Sequence, residues 1–393
     1  MAEVSVLKEK IRTVLPDIVE LRHHLHQIPE IAFKEYKTSA KIREYLSRLG
    51  LATEPSTLET DVTAVIKGDK PGPVILLRAE MDGLHIEESS GVEYTSVHPG
   101  YAHACGHDGH MAVVLGAATV LSRMRKNIAG TVKFLFQPAE ESDAGAKALV
   151  EAGYLDAEPK PDAAYALHGW PGLKTGHIQW CNGSTMAATE DFLITLTGHG
   201  GHGAVPGMAC DLIYAASRFV ADLKEFSSQL DNPASPSVVS VCTISGGSAY
   251  NVFPEKLILK GTARFLDKKN GDLINRKISQ LLDKYVLNCG GKYIVEHPKP
   301  DYVSTDNNIP LLRNIKGKAD HIIGTGAWSD DGVCSMCGDD FGFILQKVPG
   351  IYFRLGIGEE HPSLHDSSFD FPDSALESGI RLLCGLVLEQ KNI

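Results

Sequence analysis

The sequence lacks the features that mark membrane proteins and nucleic-acid-binding proteins. No apolar run in its 393 residues approaches the length of a membrane span. The first ten residues contain no hydrophobic region of the kind that signal peptides have. Positive charge is not in excess, because the formal net charge is −11 and acidic and basic residues are mixed along the chain. We therefore expect no nucleic acid and no membrane as a partner, and we predict a cytoplasmic protein.

Cysteine is too sparse for a disulfide scaffold, since the chain has eight cysteines. In a protein without a secretion signal, reduced thiols are the default expectation. Cys334 and Cys337 form a C-x-x-C pair with no second pair beside it, and a structural zinc site would need two more ligands. We interpret the pair as two thiols in a loop, with a metal or redox role as the weaker alternative.

The most informative stretch lies between His103 and His110 and reads His-Ala-Cys-Gly-His-Asp-Gly-His. Imidazole and thiolate are the side chains that borderline-soft divalent metals prefer. Two glycines let this short segment turn sharply, and the apolar residues from Met111 onward predict a buried helix. The amides at the start of that helix should lower the pKa of the thiol. The stretch predicts a metal site, and a histidine-rich polar turn without metal is the alternative.

A second group of histidines lies on the first predicted helix, residues 15–27, where apolar side chains recur at helical spacing. Residues 22–26 read Arg-His-His-Leu-His. Because no thiol or carboxylate is adjacent to them, we interpret this stretch as a solvated helix face.

Short apolar runs alternate with helical segments along the chain, a pattern typical of an α/β sheet. Four of these runs are followed by acidic or histidine side chains, namely Glu80 with Asp82, Glu140 with Glu141, His168, and His361 with His365. In α/β sheets, ligands bind beyond the carboxyl ends of the strands. We therefore expect these side chains to meet the His103–His110 stretch at one sheet edge and to hold one metal, or two that share a bridge.

Glu140 and Glu141 are adjacent, so one can bind metal while the other faces a metal-activated water. A metal lowers the pKa of water toward neutrality, and a positioned glutamate can remove its proton. The pair therefore predicts attack by hydroxide on a carbonyl group. If the pair stood alone, we would interpret it as two solvent-exposed acids.

Residues 184–298 follow a different order, in which the predicted elements run β-α-β-β-α-β as in a ferredoxin-like unit. Metal-type residues occur on both sides of this segment. We therefore interpret it as an insertion into a catalytic domain formed by residues 1–183 and 299–393.

The order of the motifs along the chain matches one family. The matching segments are residues 22–30, 77–82, 103–110, 137–141, 167–168, 198–206, 249–254, 261–264, 338–341 and 364–365. On these segments the chain resembles the dinuclear-metal aminoacylase and carboxypeptidase superfamily. Within it, the chain resembles most the branch of hippuricases, N-acyl-amino-acid amidohydrolases and auxin-conjugate amidohydrolases. The resemblance implies a zinc-peptidase-like α/β catalytic domain with a central, mostly parallel sheet and an inserted ferredoxin-like α+β dimerisation or lid domain.

The resemblance implies two divalent metal ions per chain, and zinc or manganese is favoured over cobalt or nickel. The implied ligands are Cys105, His107, Glu141, His168 and His365. Where the strand pattern leaves two histidines open, the resemblance makes His365 the ligand and His361 a loop residue. Asp82 and Asp108 are implied as groups that orient ligands. Whether Cys105 bridges the two metals stays open.

The resemblance also implies the catalytic groups. Glu140 would be the general base and would later pass its proton to the leaving amine. His202, supplied by the partner subunit of a homodimer, would stabilise the oxyanion of the tetrahedral intermediate. Asn251 and Arg264 would hold the carboxylate or carbonyl of the substrate.

The chain departs from the family pattern at a few positions near the expected pocket, namely Glu80, Gly83, His85, Gly207 and Ser367. None of them removes an implied ligand or the base, so they leave the predicted reaction type unchanged. Because they lie near the expected pocket, we expect them to affect the substrate preference. We predict a metal-dependent amidohydrolase that cleaves N-acyl or N-aroyl amino acids to a carboxylate and a free amino acid. A dipeptidase or exopeptidase with the same residues is the alternative, and a non-catalytic metal-binding protein on this fold is the remote one.

Overall fold

The computed structural model describes residues 2–230, 232, 235–298 and 301–389. The chain folds into two compact units. The first unit holds the described residues of Met1–Thr185, Thr305–Cys334 and Asp340–Ile393, and the second holds those of Met186–Ser304 and Ser335–Asp339. Residues 301–304 and 335–339 thus belong to the second unit, whereas the sequence analysis assigns them to the catalytic domain.

In chain order, the described helices are α1 (Ala2–His26), α2 (Tyr36–Arg48), α3 (His107–Ser122), α4 (Gly145–Glu151), α5 (Leu212–Gln229), α6 (Lys268–Tyr285), α7 (Ile309–Lys316), α8 (Ala319–Ile322), α9 (Phe341–Leu345) and α10 (Leu376–Glu389). The described strands are β1 (Val62–Lys67), β2 (Lys70–Glu80), β3 (Ala129–Gln137), β4 (Ala163–Pro171), β5 (Ile178–Gln179), β6 (Ser184–Met186), β7 (Ala188–Thr197), β8 (Gly201–His202), β9 (Ser237–Ser245), β10 (Val252–Phe253), β11 (Lys256–Phe265), β12 (Lys292–Glu296), β13 (Thr305–Asp306), β14 (Trp328–Ser329) and β15 (Gly350–Gly358). No helix in these described parts is both long and apolar enough to cross a membrane.

Seven of the described strands of the first unit form one sheet in the order β1-β3-β2-β4-β15-β5-β14. The central strands β3, β2, β4 and β15 are parallel neighbours, which confirms the predicted mostly parallel sheet. β4 and β15 are buried almost from end to end, as expected for strands that are covered on both faces.

Helix α3 is the buried helix predicted after the His103–His110 stretch, and it packs against α1, α10 and β2. Its residues from His107 to Leu121 are all buried. Gly116 lets α10 approach closely, because a Cβ at this position would collide with Ile380. The tight packing fixes the start of α3 at the carboxyl edge of the sheet, where β2, β3, β4 and β15 end.

The second unit contains the predicted β-α-β-β-α-β order. Four of its described strands form an antiparallel sheet in the order β12-β7-β11-β9, and α5 and α6 contact each other and this sheet. The unit has its own apolar core, which includes Ile194, Phe219, Leu259 and Ile274. The side chain of Asp211 caps α5 by accepting a hydrogen bond from the amide of Tyr214.

One pair of cysteines departs from the expectation of reduced thiols. Cys210 and Cys289 form a disulfide in the second unit. They are 79 residues apart in sequence, and the packing of α5 against α6 brings their Cα atoms to 5.0 Å. The other six cysteines, all in described parts of the chain, are free thiols.

Candidate metal centre and active site

His107 is the first residue of α3 and points its Nε2 at the loop after β3. Its Nδ1 donates to the backbone oxygen of Asp82 at 2.8 Å, so Nε2 is the ring nitrogen left to bind a metal. Nε2 is buried without a hydrogen-bond partner among the described residues, 3.8 Å from Oε1 of Glu141 and 3.9 Å from Oε2 of Glu140. Burial alone lowers the pKa of His107, but Asp82 and neighbouring carboxylates raise it to about 10. This position therefore favours positive charge.

His168 in β4 and Cys105 in the loop before α3 lie together. Nδ1 of His168 donates to the backbone oxygen of Gly169 at 2.8 Å, and Nε2 lies 3.4 Å from Sγ of Cys105. Burial, reinforced by His110, lowers the pKa of His168 to about 3. The ring is therefore neutral with its Nε2 lone pair directed at the thiol, which is the form that binds metal.

The thiol of Cys105 does not have the lowered pKa that the sequence analysis predicts for it. Burial, together with Glu141 and Glu140, raises the pKa of this thiol well above its usual value, and these effects outweigh that of the helix N-terminus. A thiolate here needs a compensating positive charge. A bound cation would supply that charge, so the residues present fit a metal ion.

Glu141 and His365 complete the group of predicted ligands. Nε2 of His365 lies 3.4 Å from Oε2 of Glu141, and the backbone N–H of His365 donates to Ala104 at 2.8 Å, next to Cys105. His365 has a positive φ of 65°, which this hydrogen bond holds. Oε1 of Glu141 is buried without a hydrogen-bond partner in the described chain. Burial raises the pKa of Glu141, but His365 and His107 outweigh it and lower the pKa.

The five predicted ligands converge in overlapping groups. Within each group the ligand atoms lie within 4.8 Å of one another, and the groups are Cys105 with His107 and His168, Cys105 with Glu141 and His365, and His107 with Glu140 and Glu141. Cys105, His107 and Glu141 each occur in two of these three groups. Overlap of this kind fits a centre in which two metal ions share ligands.

Asp82 and Asp108, both predicted to orient ligands, have different contacts. Oδ2 of Asp82 accepts from the amide of Glu141 at 2.9 Å, and its Oδ1 lies 3.3 Å from Nδ1 of His107. Asp82 therefore contacts two predicted ligands. Asp108 contacts α1 instead, since its Oδ2 lies 2.9 Å from Nδ1 of His26 and 3.4 Å from a guanidinium nitrogen of Arg22. It holds the start of α3 rather than a ligand side chain.

The interpretation of residues 22–26 as a solvated helix face is wrong for Arg22 and His26, which are both fully buried. The tertiary structure places Asp108 and Glu88 against His26, and paired charges can be buried where single ones cannot. His24 is exposed, as the interpretation expects.

Two further histidines are excluded as ligands by their hydrogen bonds. His110 has Nδ1 2.9 Å from Oε2 of Glu80, and its Nε2 accepts from the amide of Gly169 at 2.8 Å. Nδ1 of His361 lies 2.9 Å from the backbone oxygen of Pro362, and its Nε2 lies 2.7 Å from the backbone oxygen of Asp370. Both nitrogens of each ring face a protein partner, so the assignment of His361 to the loop agrees with its contacts.

The remaining predicted site residues lie in the second unit. His202 in β8 is exposed and pairs with Val252 of β10, and the backbone oxygen of Asn251 accepts from the amide of Gly203 at 2.7 Å. The structure therefore brings His202 and Asn251 together on two facing loops. Arg264 lies near the C-terminal end of β11, whereas Asn251 precedes the N-terminal end of this strand. Arg264 donates there to the backbone oxygen of Ala263 and pairs with Asp191 at 3.5 Å.

The comparison with known families identifies the chain. The model of peptidase family M20/M25/M40 matches residues 76–389. The chain belongs to this family.

Relatives of this M20 protein act on amide bonds. The N-acetyl-L-cysteine deacetylase of Bacillus subtilis is 34% identical over 95% of this chain and 89% of its own length. The thermostable carboxypeptidase 2 of Saccharolobus solfataricus is 33% identical over 96% of both chains. Among solved structures, the Bacillus subtilis YXEP protein, described as a dinuclear metal-binding peptidase of family M20, has a TM-score of 0.83 and 29% identity over 96% of this chain and 99% of that one. The chain is a metal-dependent hydrolase of amide bonds, and its cofactors are divalent metal ions.

Arg78, which supports the centre of this M20 hydrolase from within the sheet, was not predicted from the sequence, and Glu80 was expected only among the possible metal-binding groups at the sheet edge. Arg78 donates to Gln137 at 2.8 Å and to Asp340 at 2.6 Å and also pairs with Glu80. Glu80 in turn contacts His110. A charge inside a buried apolar strand must be paired, so Arg78 and Glu80 next to the run Leu76–Leu77 were the available signal.

Proposed function

We propose that this M20 hydrolase cleaves the amide bond of N-acyl or N-aroyl amino acids, with Glu140 as the general base, as in the hippuricase and auxin-conjugate branch. The products are a carboxylate and a free amino acid. The deacetylase relatives support the acyl-amino-acid class, because their names describe removal of acetyl groups from amino acids. The carboxypeptidase relative supports the alternative, a dipeptidase or exopeptidase.

The observation that carries the proposal is the position of Glu140 beside the convergent donor groups. Glu140 is only 6% exposed and its Oε2 lies 3.9 Å from Nε2 of His107, and Glu140 and Glu141 both belong to the converging group with His107. One carboxylate is thereby available for proton transfer while the other is available for a metal.

The proposed roles divide between metal binding and proton transfer. Zinc or manganese ions, two per chain, held by Cys105, His107, Glu141, His168 and His365, would lower the pKa of water and polarise the substrate carbonyl. Glu140 takes a proton from the attacking water and passes it to the nitrogen of the leaving amine. Asp82 keeps His107 and the Glu141 backbone in place through its two carboxylate oxygens.

We further propose a homodimer in which His202 of one copy serves the metal centre of the other. Within one chain, Lys256 and Arg264 are separated by eight residues of β11, roughly 26 Å at about 3.3 Å per residue, and Asn251 lies beyond Lys256. A single substrate carboxylate therefore cannot contact Asn251 and Arg264 of the same chain, but residues of two copies can share it. β9 is an edge strand, and Ile244 on it is exposed, which favours pairing with a second copy.

Hydrolysis of a substrate panel by metal-reconstituted protein tests the function. The panel contains N-acetyl, N-benzoyl and indole-acetyl amino acids beside dipeptides, and bound metal is measured in parallel. Turnover of one acyl class at about two metals per chain would support the proposal. Turnover of dipeptides alone would establish the peptidase alternative, and tight metal binding without turnover would favour the non-catalytic one.

A further inference from the structure

The loop that carries Glu140 and Glu141 has an unusual backbone at both of its ends. Ala139 has a φ of 59° and Ala144 a φ of 50°, so two residues with a Cβ adopt the left-handed region. This conformation is unfavourable for L-residues other than glycine. The amide of Gly145 donates to the backbone oxygen of Ala139 at 2.9 Å and closes the loop. The loop is therefore short, closed and strained next to the general base.

A buried carboxylate from a distant segment binds the strained end of this loop. Oε1 of Glu35 accepts a hydrogen bond from the amide of Ala139 at 2.9 Å and one from the amide of Phe33 at 3.0 Å. Its Oε2 accepts from the hydroxyl of Thr60 at 2.9 Å. Glu35 is fully buried. One carboxylate thus joins three segments that are far apart in sequence.

The two amides that Glu35 binds share one property. Phe33 has a φ of 58°, close to that of Ala139, so both belong to left-handed residues that carry a side chain. Hydrogen bonds from amides to a carboxylate are among the stronger ones in proteins. They can therefore hold a backbone conformation that would otherwise relax.

Keeping a carboxylate at this place is itself unfavourable. Burial and the charge of Asp82 raise the pKa of Glu35 to about 7. A polar residue retained in a buried position against such a cost indicates a role beyond packing. The geometry at Ala139 identifies that role.

We propose that Glu35 is a positioning residue for the reaction, because its hydrogen bond to Ala139 fixes the backbone that places the carboxylate of Glu140. The inference rests on the proposed function of Glu140 as the general base. Glu35 acts through Ala139 and does not touch the reacting atoms.

Variants of both ends of the hydrogen bond test this role. Glu35→Ala removes the acceptor, and Glu35→Met does so at similar volume in case the alanine variant does not fold. Ala139→Gly allows the left-handed conformation without an acceptor. Phe33→Gly is the matched control, since it relieves the same strain at the other amide. The metal-loaded variants are compared by kcat, KM, bound metal and hydrogen exchange of the peptide spanning residues 137–145.

We expect Glu35→Ala to keep its metal and its KM while kcat falls about 10- to 100-fold and exchange in residues 137–145 becomes faster. Adding Ala139→Gly should recover most of the lost kcat, whereas adding Phe33→Gly should not. Unchanged kcat and unchanged hydrogen exchange in Glu35→Ala would overturn the inference. Equal recovery of kcat by Ala139→Gly and by Phe33→Gly would also overturn it. Glu140→Gln separates the general-base role of Glu140 from the positioning role of Glu35. A fully active Glu140→Gln would refute the general base, while the hydrogen-exchange result for Glu35→Ala would still stand.

Discussion

Hydrogen bonds at individual ring nitrogens separate the ligand histidines from the supporting ones. His107 and His168 each donate from Nδ1 to a backbone oxygen, and Nε2 of each ring faces the other predicted ligands. His110 and His361 use both of their nitrogens. Residue type alone marks His107, His110, His168 and His361 alike, and the neighbouring carbonyl and amide groups leave His107 and His168 as the ligands among these four.

Glu140 should be necessary for turnover but not for metal binding. Glu140→Gln keeps the shape of the side chain and removes its basicity, so kcat should fall about a hundredfold or more while the metal content stays the same. Asp143→Asn is the matched control, because Asp143 is an exposed carboxylate of the same loop and its loss should leave kcat unchanged. Steady-state kinetics with metal analysis checks both variants, and full activity of Glu140→Gln would contradict the mechanism.

Arg264 should discriminate between substrates with and without a carboxylate. Its side chain is about a quarter exposed. Its contacts with Asp191, Thr262 and the backbone oxygen of Ala263 are all made by Nη1, so we expect a substrate carboxylate to bind the other guanidinium nitrogens. Arg264→Ala should raise KM for N-acyl amino acids about tenfold or more and spare the corresponding carboxylate-free amides. Lys260→Ala, on the same strand, is the control. Equal losses on both substrate types would assign Arg264 to the fold or the dimer.

At the scale of elements, α1 and α3 are joined by a buried network of charges. Arg22 and His26 of α1 bind Asp108 of α3, and Nε2 of His26 also lies 3.0 Å from Glu88. Burial lowers the pKa of His26, but Asp108 and Glu88 outweigh it and raise the pKa to about 10. The network therefore fixes α3, and with it the position of His107, to the neighbouring helix.

The charge of His26 makes the stability of this contact depend on pH. The folded-state pKa of about 10 lies above the value of about 6.5 for an unfolded chain. The stabilisation is therefore complete below about pH 6.5 and is lost as the pH rises through about 10. His26→Gln should lower the free energy of unfolding by about 3 kcal/mol near pH 6 and by less near pH 9.

Denaturant unfolding at the two pH values measures this difference. His24→Gln is the control, because His24 is an exposed residue of the same helix and its replacement should change the stability little at either pH. If His26→Gln lowers the free energy of unfolding by the same amount at both pH values, the charged pair is contradicted.

At the scale of the whole molecule, the proposed site needs two copies of the chain. Mixing two inactive variants tests this directly. His202→Ala lacks the oxyanion donor and Glu140→Gln lacks the base, so each homodimer should be inactive. After random exchange of subunits, about a quarter of the wild-type rate should return, because half of the dimers are mixed and each mixed dimer has one complete site.

The outcome of mixing separates sharing between copies from a site within one chain. If His202 serves the centre of its own chain, no mixture restores activity, and the proposed sharing is wrong. Light scattering of each variant before mixing shows whether it still associates. The cytoplasmic location and the choice between zinc and manganese stay predictions.

Much of the catalytic chemistry could be predicted from the sequence. Cys105 and His107 lie in one short stretch, and the strands that end near Glu141, His168 and His365 are marked by apolar runs. Because parallel strands bring their carboxyl ends to one edge, the convergence of these ligands follows from local patterns alone. The order of elements in the second unit follows from periodicity in the same way.

The tertiary structure alone decided the features that depend on partners distant in sequence. The sequence analysis expected exposed charges at Arg22 and His26, a lowered pKa for Cys105 and reduced thiols at Cys210 and Cys289, and all three expectations were wrong. Burial and pKa values depend on which groups come together in space, and a linear pattern does not contain that information. The same reason explains Glu35, whose partners Thr60 and Ala139 reach it only in the folded chain. The sequence thus determined which chemical groups reach the sheet edge, and the fold determined their charge, their burial and the residues that hold them.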